Sequence, residues 1–211
     1  MAARAGFGQL VLTFFRHGSN VALALTLGAL VLTLGLRGQL GAQAGWLALG
    51  LVMFPFYEYV FHRFLLHAKP SEFAWAYRIQ RATHYDHHED TNRLDRLFTP
   101  LWAFFPLVAV QGGIYLGLGI GWPTAAALLA GNLSGYLYYE WVHYIAHVPY
   151  APKTAWGRAM KKYHLWHHHK NEHHWFGVTT PWVDRLFGTW AAVEAVPQSA
   201  SARRLHGPHT P

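Results

Sequence analysis

Hydrophobic residues in this chain are gathered into long runs that contain no charged side chain. Twenty residues without Asp, Glu, Lys or Arg separate Arg16 from Arg37, twenty more separate Arg37 from Glu58, and 43 run from Leu97 through Tyr139. A membrane-spanning helix needs about 20 mainly apolar residues. The pattern therefore predicts an all-α fold with four transmembrane helices in two hairpins. The predicted spans are residues 20–36, 43–61, 98–119 and 123–142.

Composition supports the membrane interpretation. Of 211 residues, 52% are hydrophobic and 13% are charged, against a usual charged share of about 25%. A buried soluble core is the alternative, but a soluble protein of this size rarely needs four charge-free stretches of that length. We predict no cleaved signal peptide, because no small-residue cleavage pattern clearly follows the first apolar stretch.

Basic residues lie almost entirely on one side of the predicted hairpins. Of 17 Lys and Arg residues, only Arg37 falls in a turn on the opposite side. Because each hairpin returns the chain to its starting face, the positive-inside rule places both termini and the middle segment in the cytoplasm. The net charge of +7 is thus interpreted as membrane orientation. No nucleic-acid partner is expected, since the basic residues are divided among loops without a binding motif.

The predicted cytoplasmic segments carry ten histidines in four short motifs. Cysteine is absent, so any metal ion must be held by nitrogen and oxygen. Ten packed neutral imidazoles would need many hydrogen-bond partners, whereas divalent metal ions satisfy their lone pairs directly. Ten ligands exceed the roughly four to six that one ion accepts, so we predict two metal ions. The predicted ligands are His62, His67, His84, His87, His88, His143, His147, His164, His167 and His168.

Helical spacing allows most of these histidines to share a face. The two His-x2-His-His motifs each fall within about 100° of arc, and His143 and His147 stand about 40° apart, so each set can point into one pocket. His62 and His67 are about 140° apart on an ideal helix. That pair needs either a distorted turn or metal ions approached from different sides.

The histidine motifs repeat along the chain at an offset of 80 residues. The repeat predicts a duplicated hairpin with a cytoplasmic helix, at about residues 54–97 and 135–190, each half supplying five ligands. Together the halves predict a cytoplasmic helical cap that carries a histidine-rich di-metal site. We predict one integral-membrane domain over residues 1–195 and a flexible tail over residues 196–211.

Two acidic residues lie close to the cytoplasmic ends of the predicted spans. Glu58 precedes His62 by four residues and Glu140 precedes His143 by three, so each carboxylate is predicted to accept the second N–H of a ligating imidazole. A carboxylate reaching headgroup water is the alternative. Asp86 is predicted to be solvated or salt-bridged. Six histidines are predicted not to hold metal. His169, His173 and His174 are predicted to lie beside the ligands or at the surface, and His17, His206 and His209 are predicted to be core or interfacial residues.

The motifs His-x4-His, His-x2-His-His, His-x3-His and His-x2-His-His, followed by Trp-Phe-Gly-Val-Thr-Thr-Pro-Trp-Val-Asp-Arg-Leu-Phe-Gly-Thr at 175–189, occur in this order. They resemble the fatty acid hydroxylase and sterol desaturase superfamily of membrane-bound di-metal oxygenases, particularly the fatty acid 2-hydroxylase branch. The resemblance covers about residues 54–190. It implies one metal ion on His62, His67, His84, His88 and His167, and the other on His87, His143, His147, His164 and His168.

The resemblance implies hydroxylation of a C–H bond on a lipid acyl chain, with dioxygen as co-substrate and two electrons supplied from outside. Iron is the favoured metal because zinc cannot change oxidation state, although zinc can occupy histidine-rich sites in an isolated sample. No catalytic side chain beyond the metal centre is assigned. Since no fused cytochrome b5 domain fits before the first span, we expect a separate cytochrome b5-like or ferredoxin-like electron donor.

Two alternatives stay open at this point. Desaturation, or hydroxylation of a sterol or carotenoid, uses the same oxygen chemistry, and spacing does not reveal how the substrate is held. A histidine-rich metal transporter or buffer is the alternative that is not an enzyme. It predicts ionisable ligands midway through the spans, along a permeation path, and the predicted spans lack them.

Overall fold

Helices form all the regular secondary structure in the computed structural model, which describes residues 6–205. No strand occurs in this range, which confirms the all-α prediction. Two π-helical segments, Phe61–Leu66 and Arg81–Tyr85, and two 3-10 turns, Leu94–Arg96 and Val193–Ala195, join the α-helices. The α-helices are α1 Phe7–Phe14, α2 Gly18–Leu36, α3 Leu40–Val60, α4 Ala74–Gln80, α5 Asp86–Glu89, α6 Leu101–Gly117, α7 Trp122–His147, α8 Ala155–His169 and α9 Trp182–Leu186.

Three helical stretches are long and apolar enough to cross a membrane. They are Gly18–Leu36, Leu40–Leu66 and Leu94–Gly117. Only 17% of the most apolar part of each is buried inside the protein, whereas a soluble core would bury most of it. The exposed apolar surface is therefore that of a membrane protein. The fourth predicted span, residues 123–142, falls within α7, which is less apolar than these three.

The described chain forms two compact units. The first comprises residues 12–54 and 99–138, and the second comprises residues 6–11, 55–98 and 139–205. Both α3 and α7 contribute residues to each unit. All ten predicted ligands lie in the second unit. The single domain over residues 1–195 and its internal duplication stay predictions.

Both helix turns of the first unit are closed by a glycine in the left-handed conformation. Gly38 has a φ angle of 66° and Gly119 has a φ angle of 75°. After α2, the N–H of Gln39 donates to the carbonyl of Leu34 at 2.9 Å, a bond of the Schellman motif that ends helices. The corresponding bond follows α6. These glycines allow the sharp turns that the hairpin prediction requires.

Within the first unit, α3 and α7 are in direct backbone contact. A Cβ atom built on Gly131 would lie 2.0 Å from the carbonyl oxygen of Leu47, and one built on Gly50 would lie 2.2 Å from that of Leu128. Real side chains do not tolerate such distances from backbone atoms. The absence of a side chain at both glycines is therefore what allows the two helices to approach this closely.

In the second unit, a lysine fixes the connection between α7 and α8. The Nζ atom of Lys161 donates hydrogen bonds to the carbonyls of Ile145, Val148 and Tyr150 at 2.9, 2.6 and 3.0 Å. Two of these carbonyls lie beyond the end of α7, where no further helical turn follows to satisfy them. The carbonyls that Lys161 binds lie on either side of His147, the last residue of α7, whose Nε2 is 2.9 Å from Nε2 of His164 on α8.

Residues 196–205, predicted as part of a flexible tail, are hydrogen-bonded to the rest of the second unit. The N–H of Ser199 donates to the carbonyl of Lys170 at 2.7 Å, and Nδ1 of His88 donates to the carbonyl of Ala202 at 2.8 Å. Ala202 is buried. These hydrogen bonds use backbone groups of the segment, which composition does not reveal, and the flexibility of residues 196–211 stays a prediction. Residues 206–211, including His206 and His209, lie outside the described residues.

Candidate metal centre

The π-helix Phe61–Leu66 brings the first histidine pair onto one face. A π-helix pairs residue i with residue i+5, and the N–H of His67 donates to the carbonyl of His62 at 3.0 Å. The two ring centroids lie 4.9 Å apart. Of the two solutions that the spacing left open, the protein uses the distorted turn. In the second half, His143 and His147 are four residues apart on regular α-helix and need no such turn.

All ten predicted ligands meet in two buried groups. Within each group, one nitrogen from every ring lies within 4.8 Å of the others. These are the two sets that the family resemblance implied. Group one comprises His62, His67, His84, His88 and His167, and group two comprises His87, His143, His147, His164 and His168.

Each His-x2-His-His motif is divided between the groups. His87 joins group two although its neighbours His84 and His88 belong to group one, and His167 joins group one although His164 and His168 belong to group two. Helical spacing allowed each motif to face one pocket, but both motifs are divided between the groups as the family resemblance implied. An arc of about 100° is wide enough for the second histidine of each motif to face the other group.

Three imidazole rings of group one are oriented by hydrogen bonds to backbone carbonyls in the C-terminal part of the chain. Nδ1 of His62 donates to the carbonyl of Phe176 at 2.5 Å, and Nδ1 of His167 donates to that of His174 at 2.8 Å. His88 bonds to Ala202 in the same way. A carbonyl only accepts, so the proton of each neutral ring sits on Nδ1 and the lone pair sits on Nε2. Three lone pairs of group one are thus aimed by hydrogen bonds on the far side of the ring.

Group two has a different hydrogen-bond pattern. Nε2 of His143 lies 3.0 Å from Nε2 of His87, and Nε2 of His147 lies 2.9 Å from Nε2 of His164. Neither ring nitrogen of His168 has a hydrogen-bond partner. The described rings of group two thus contact one another rather than backbone carbonyls.

The unpartnered nitrogens test whether the groups fit metal ions. Nε2 of His62, Nε2 of His88 and both nitrogens of His168 are buried without a hydrogen-bond partner. Burying such polar atoms unsatisfied is costly, whereas a metal ion accepts several converging imidazole lone pairs at once. His88 and His168 stack at 3.9 Å between ring centroids, so the two groups adjoin. The donor set therefore fits two neighbouring ions.

Burial keeps the histidines neutral. It lowers the pKa of His147 to about 3. Neutral imidazole is the form that coordinates metal ions, so the rings are ready to bind at neutral pH. Burial is also the largest cause, with neighbouring imidazoles adding to it, of a pKa well below 6.5 for His84, His87, His88, His164, His167 and His168.

Neither acidic residue has the partner that the sequence predicted. Glu58 accepts from the N–H and hydroxyl of Thr179 and from the N–H of Val178, while His62 bonds to a backbone carbonyl instead. Nδ1 of His143 has no hydrogen-bond partner, so Glu140 does not receive it. Helical spacing alone could not reveal that a loop far along the chain donates hydrogen bonds to Glu58.

The other candidate residues lie outside both groups. Asp86 is salt-bridged to Arg81 at 2.7 Å and to Arg96 at 3.2 Å, as predicted. His173 is 73% exposed. His17, His169 and His174 also belong to neither group.

Sequence reasoning missed the role of Asp184, although it lies in the 175–189 segment. Its carboxylate accepts from the N–H groups of Phe176 and Gly177 at 2.8 and 2.7 Å and from the hydroxyl of Thr189 at 2.7 Å. Burial raises the pKa of Asp184, and these hydrogen bonds oppose the rise. The available signal was the lone acidic residue in an apolar, glycine-containing segment.

Comparisons with known proteins agree with this architecture. A dihydroceramide fatty acyl 2-hydroxylase, FAH2 of Arabidopsis thaliana, is 32% identical over 158 residues, covering 70% of this chain and 61% of that protein. A fatty acid 2-hydroxylase of Mus musculus is 33% identical over 158 residues, covering 73% of this chain and 41% of that protein. The chain thus spans less than two thirds of either relative.

A solved structure described as full-length scs7p, with only the hydroxylase domain visible, has a similar fold. Its TM-score is 0.70 at 28% identity, covering 93% of this chain and 70% of that one. The profile of the family described as fatty acid hydroxylase matches residues 47–189, which is more than half of the chain. The resemblance noted from the histidine motifs is therefore confirmed, and the chain belongs to the fatty acid hydroxylase family.

Proposed function

We propose that this protein is a membrane-bound di-metal oxygenase that hydroxylates a lipid acyl chain. The observation that carries the proposal is the pair of adjoining, buried five-histidine groups. Family membership and the hydroxylase names of the relatives support the reaction class. Dioxygen is the co-substrate, and two electrons come from a separate protein of the cytochrome b5 or ferredoxin type.

In this proposal, the ten histidines hold two ions, and iron is the metal that suits the reaction. Bound iron supplies redox chemistry that activates dioxygen, which zinc cannot supply because it does not change oxidation state. The side chains hold the ions, aim their lone pairs and exclude bulk water. Eight of the ten residues are buried, and His67 and His147 are partly buried. No side chain is assigned as a general base.

The proposed topology has four membrane spans in two hairpins, with the histidine-bearing segments forming a cytoplasmic cap. Three apolar helices support it, and α7 would supply the fourth span. The distribution of Lys and Arg supports cytoplasmic termini and a cytoplasmic metal centre. The acyl-chain substrate would then reach the centre from the bilayer.

Lipid mass spectrometry tests the reaction. Lipids would be extracted from cells that make the chain and from cells that make the His168→Ala variant at equal membrane levels. We expect acyl lipids that gain one oxygen atom only with the unchanged chain. Acyl lipids that lose two hydrogens would show that the reaction is desaturation. An oxygen atom gained by sterols or carotenoids would show that these are the substrates. Altered cellular metal content without any lipid product would favour a transporter or buffer.

Metal removal gives a second test that does not depend on the substrate. The purified chain is expected to contain two ions, and chelation is expected to lower its unfolding temperature. An ion present at roughly 1,000 times its Kd stabilises the folded state by about 4 kcal/mol. Elemental analysis and thermal unfolding with and without chelator measure both effects. A chain that holds no metal from any preparation, and that unfolds identically with chelator, would contradict the proposal.

A further inference from the structure

The loop Phe176–Thr179 is held by two buried carboxylates. Its four successive backbone N–H groups all donate to carboxylate oxygens, the first two to Asp184 and the last two to Glu58. The hydroxyl of Thr179 adds a further bond to Glu58. A hydrogen bond to an ionised carboxylate is stronger than one to a neutral acceptor.

The carboxylates depend on this loop in turn. Glu58 is 6% exposed and Asp184 is 1% exposed. No salt bridge among the described residues reaches either one. A buried carboxylate needs hydrogen-bond donors to offset its lost hydration. The loop N–H groups are the main donors for Glu58, and Asp184 receives one more from Thr189.

The loop conformation leaves no room for side-chain variation at its centre. A Cβ atom on Gly177 would lie 2.2 Å from the carbonyl oxygen of Thr180 and 2.7 Å from Oδ2 of Asp184. Just before the loop, Trp175 has a φ angle of 56°, an unusual conformation for a bulky residue. The neighbouring structure must hold such a conformation in place.

The loop orients a member of group one. The carbonyl of Phe176 accepts Nδ1–H of His62 at 2.5 Å, and Nε2 of His62 is then left to face group one. Glu58 lies one helical turn before His62 on the same continuous helical stretch. The carboxylates therefore reach the imidazole through the loop and not by direct contact.

We propose that Glu58 and Asp184 are positioning residues for the first metal ion, acting through the loop Phe176–Thr179 on His62. This inference rests on the proposed metal-holding role of the histidine groups. The described rings of group two have no hydrogen bond to this loop. Loss of either carboxylate should therefore weaken binding at group one and leave group two unchanged.

Cobalt(II) titration of the purified, metal-free full-length chain tests the inference. Visible absorption reports each bound ion, and equilibrium dialysis counts them. The unchanged chain should bind two ions. Glu58→Gln and Asp184→Asn should each raise the Kd of one ion by about 10- to 100-fold, the usual cost of removing a group that orients a ligand. The matched control Glu194→Gln, an exposed carboxylate, should bind both ions normally.

Because both carboxylates hold one loop, the double variant should weaken metal binding by less than the sum of the two single-variant losses in binding free energy.

Thr179→Val removes one donor to Glu58 without touching a carboxylate, and Thr179→Ser restores the hydroxyl. We expect the valine variant to weaken one ion and the serine variant to behave like the unchanged chain. This pair answers the question even where a carboxylate variant fails to fold, as checked by circular dichroism.

The possible results separate the inference from the proposed function. Two ions bound with unchanged affinity in Glu58→Gln and Thr179→Val would overturn the inference alone. Equal weakening of both ions in a folded variant would also overturn it, because the effect would not be specific to group one. No binding by the unchanged chain would instead refute the metal centre on which the proposed function depends.

Discussion

Replacing His168 by alanine is expected to lower hydroxylated product by at least about 100-fold while the chain still inserts into the membrane. His168 is fully buried in group two, and neither of its ring nitrogens has another partner in the described residues. Removing it takes away one ligand outright, which should cost at least as much as losing a group that only orients a ligand. His87→Ala should have a similar effect, because His87 joins the same group from the other half of the chain.

The control for these variants is His173→Ala. It makes the same chemical change five residues beyond His168, on a side chain that is 73% exposed and belongs to neither group. Product per unit of membrane protein, measured by lipid mass spectrometry, should be unchanged in the control. Full turnover in both His87→Ala and His168→Ala would contradict a metal centre that needs all ten histidines.

Replacing Gly131 by alanine is expected to destabilise the fold by about 1–3 kcal/mol. The new Cβ atom would lie 2.0 Å from the carbonyl oxygen of Leu47, so α3 and α7 must separate to admit it. Alanine otherwise stabilises a helix by about 1 kcal/mol relative to glycine. A net loss of stability would therefore report the close helix contact and not helix propensity.

Gly113→Ala on α6 is the matched control, because no atom lies within 4 Å of its Cβ position. It should be neutral or stabilising by up to about 1 kcal/mol. Thermal unfolding in detergent compares the two variants. Equal unfolding temperatures would mean that the helices shift at little cost.

Large-scale features of this chain could be predicted from its sequence because they depend on many residues at once. Charge-free runs of about 20 residues indicated membrane helices, and three of them are present as apolar stretches of sufficient length. Ten clustered histidines in a chain without cysteine indicated a nitrogen-ligated metal centre. A single polar residue within an apolar helix such as α7 does not change a pattern that many residues share.

Local partners could not be predicted in the same way. Glu58 lies four residues from His62, and helical spacing favours that contact, yet the carboxylate is taken by a loop 120 residues further along. The division of each His-x2-His-His motif depends on where the facing helices lie, which spacing does not contain. Similarly, Ala202 orients His88 through its backbone, so its side-chain identity gave no signal.

The π-helical turn Phe61–Leu66 makes the first half sensitive to length and tolerant of substitution. Phe64 and Leu65 are 57% and 50% exposed, so other apolar side chains fit there without disturbing the turn. Deleting one residue between His62 and His67 would give the spacing that His143 and His147 have on regular α-helix. Inserting one residue would instead place His67 about 120° away from His62 on an ideal helix and carry it off the shared face. Among homologous sequences, an insertion in this segment would therefore be a sharper marker of lost activity than a point change or a one-residue deletion.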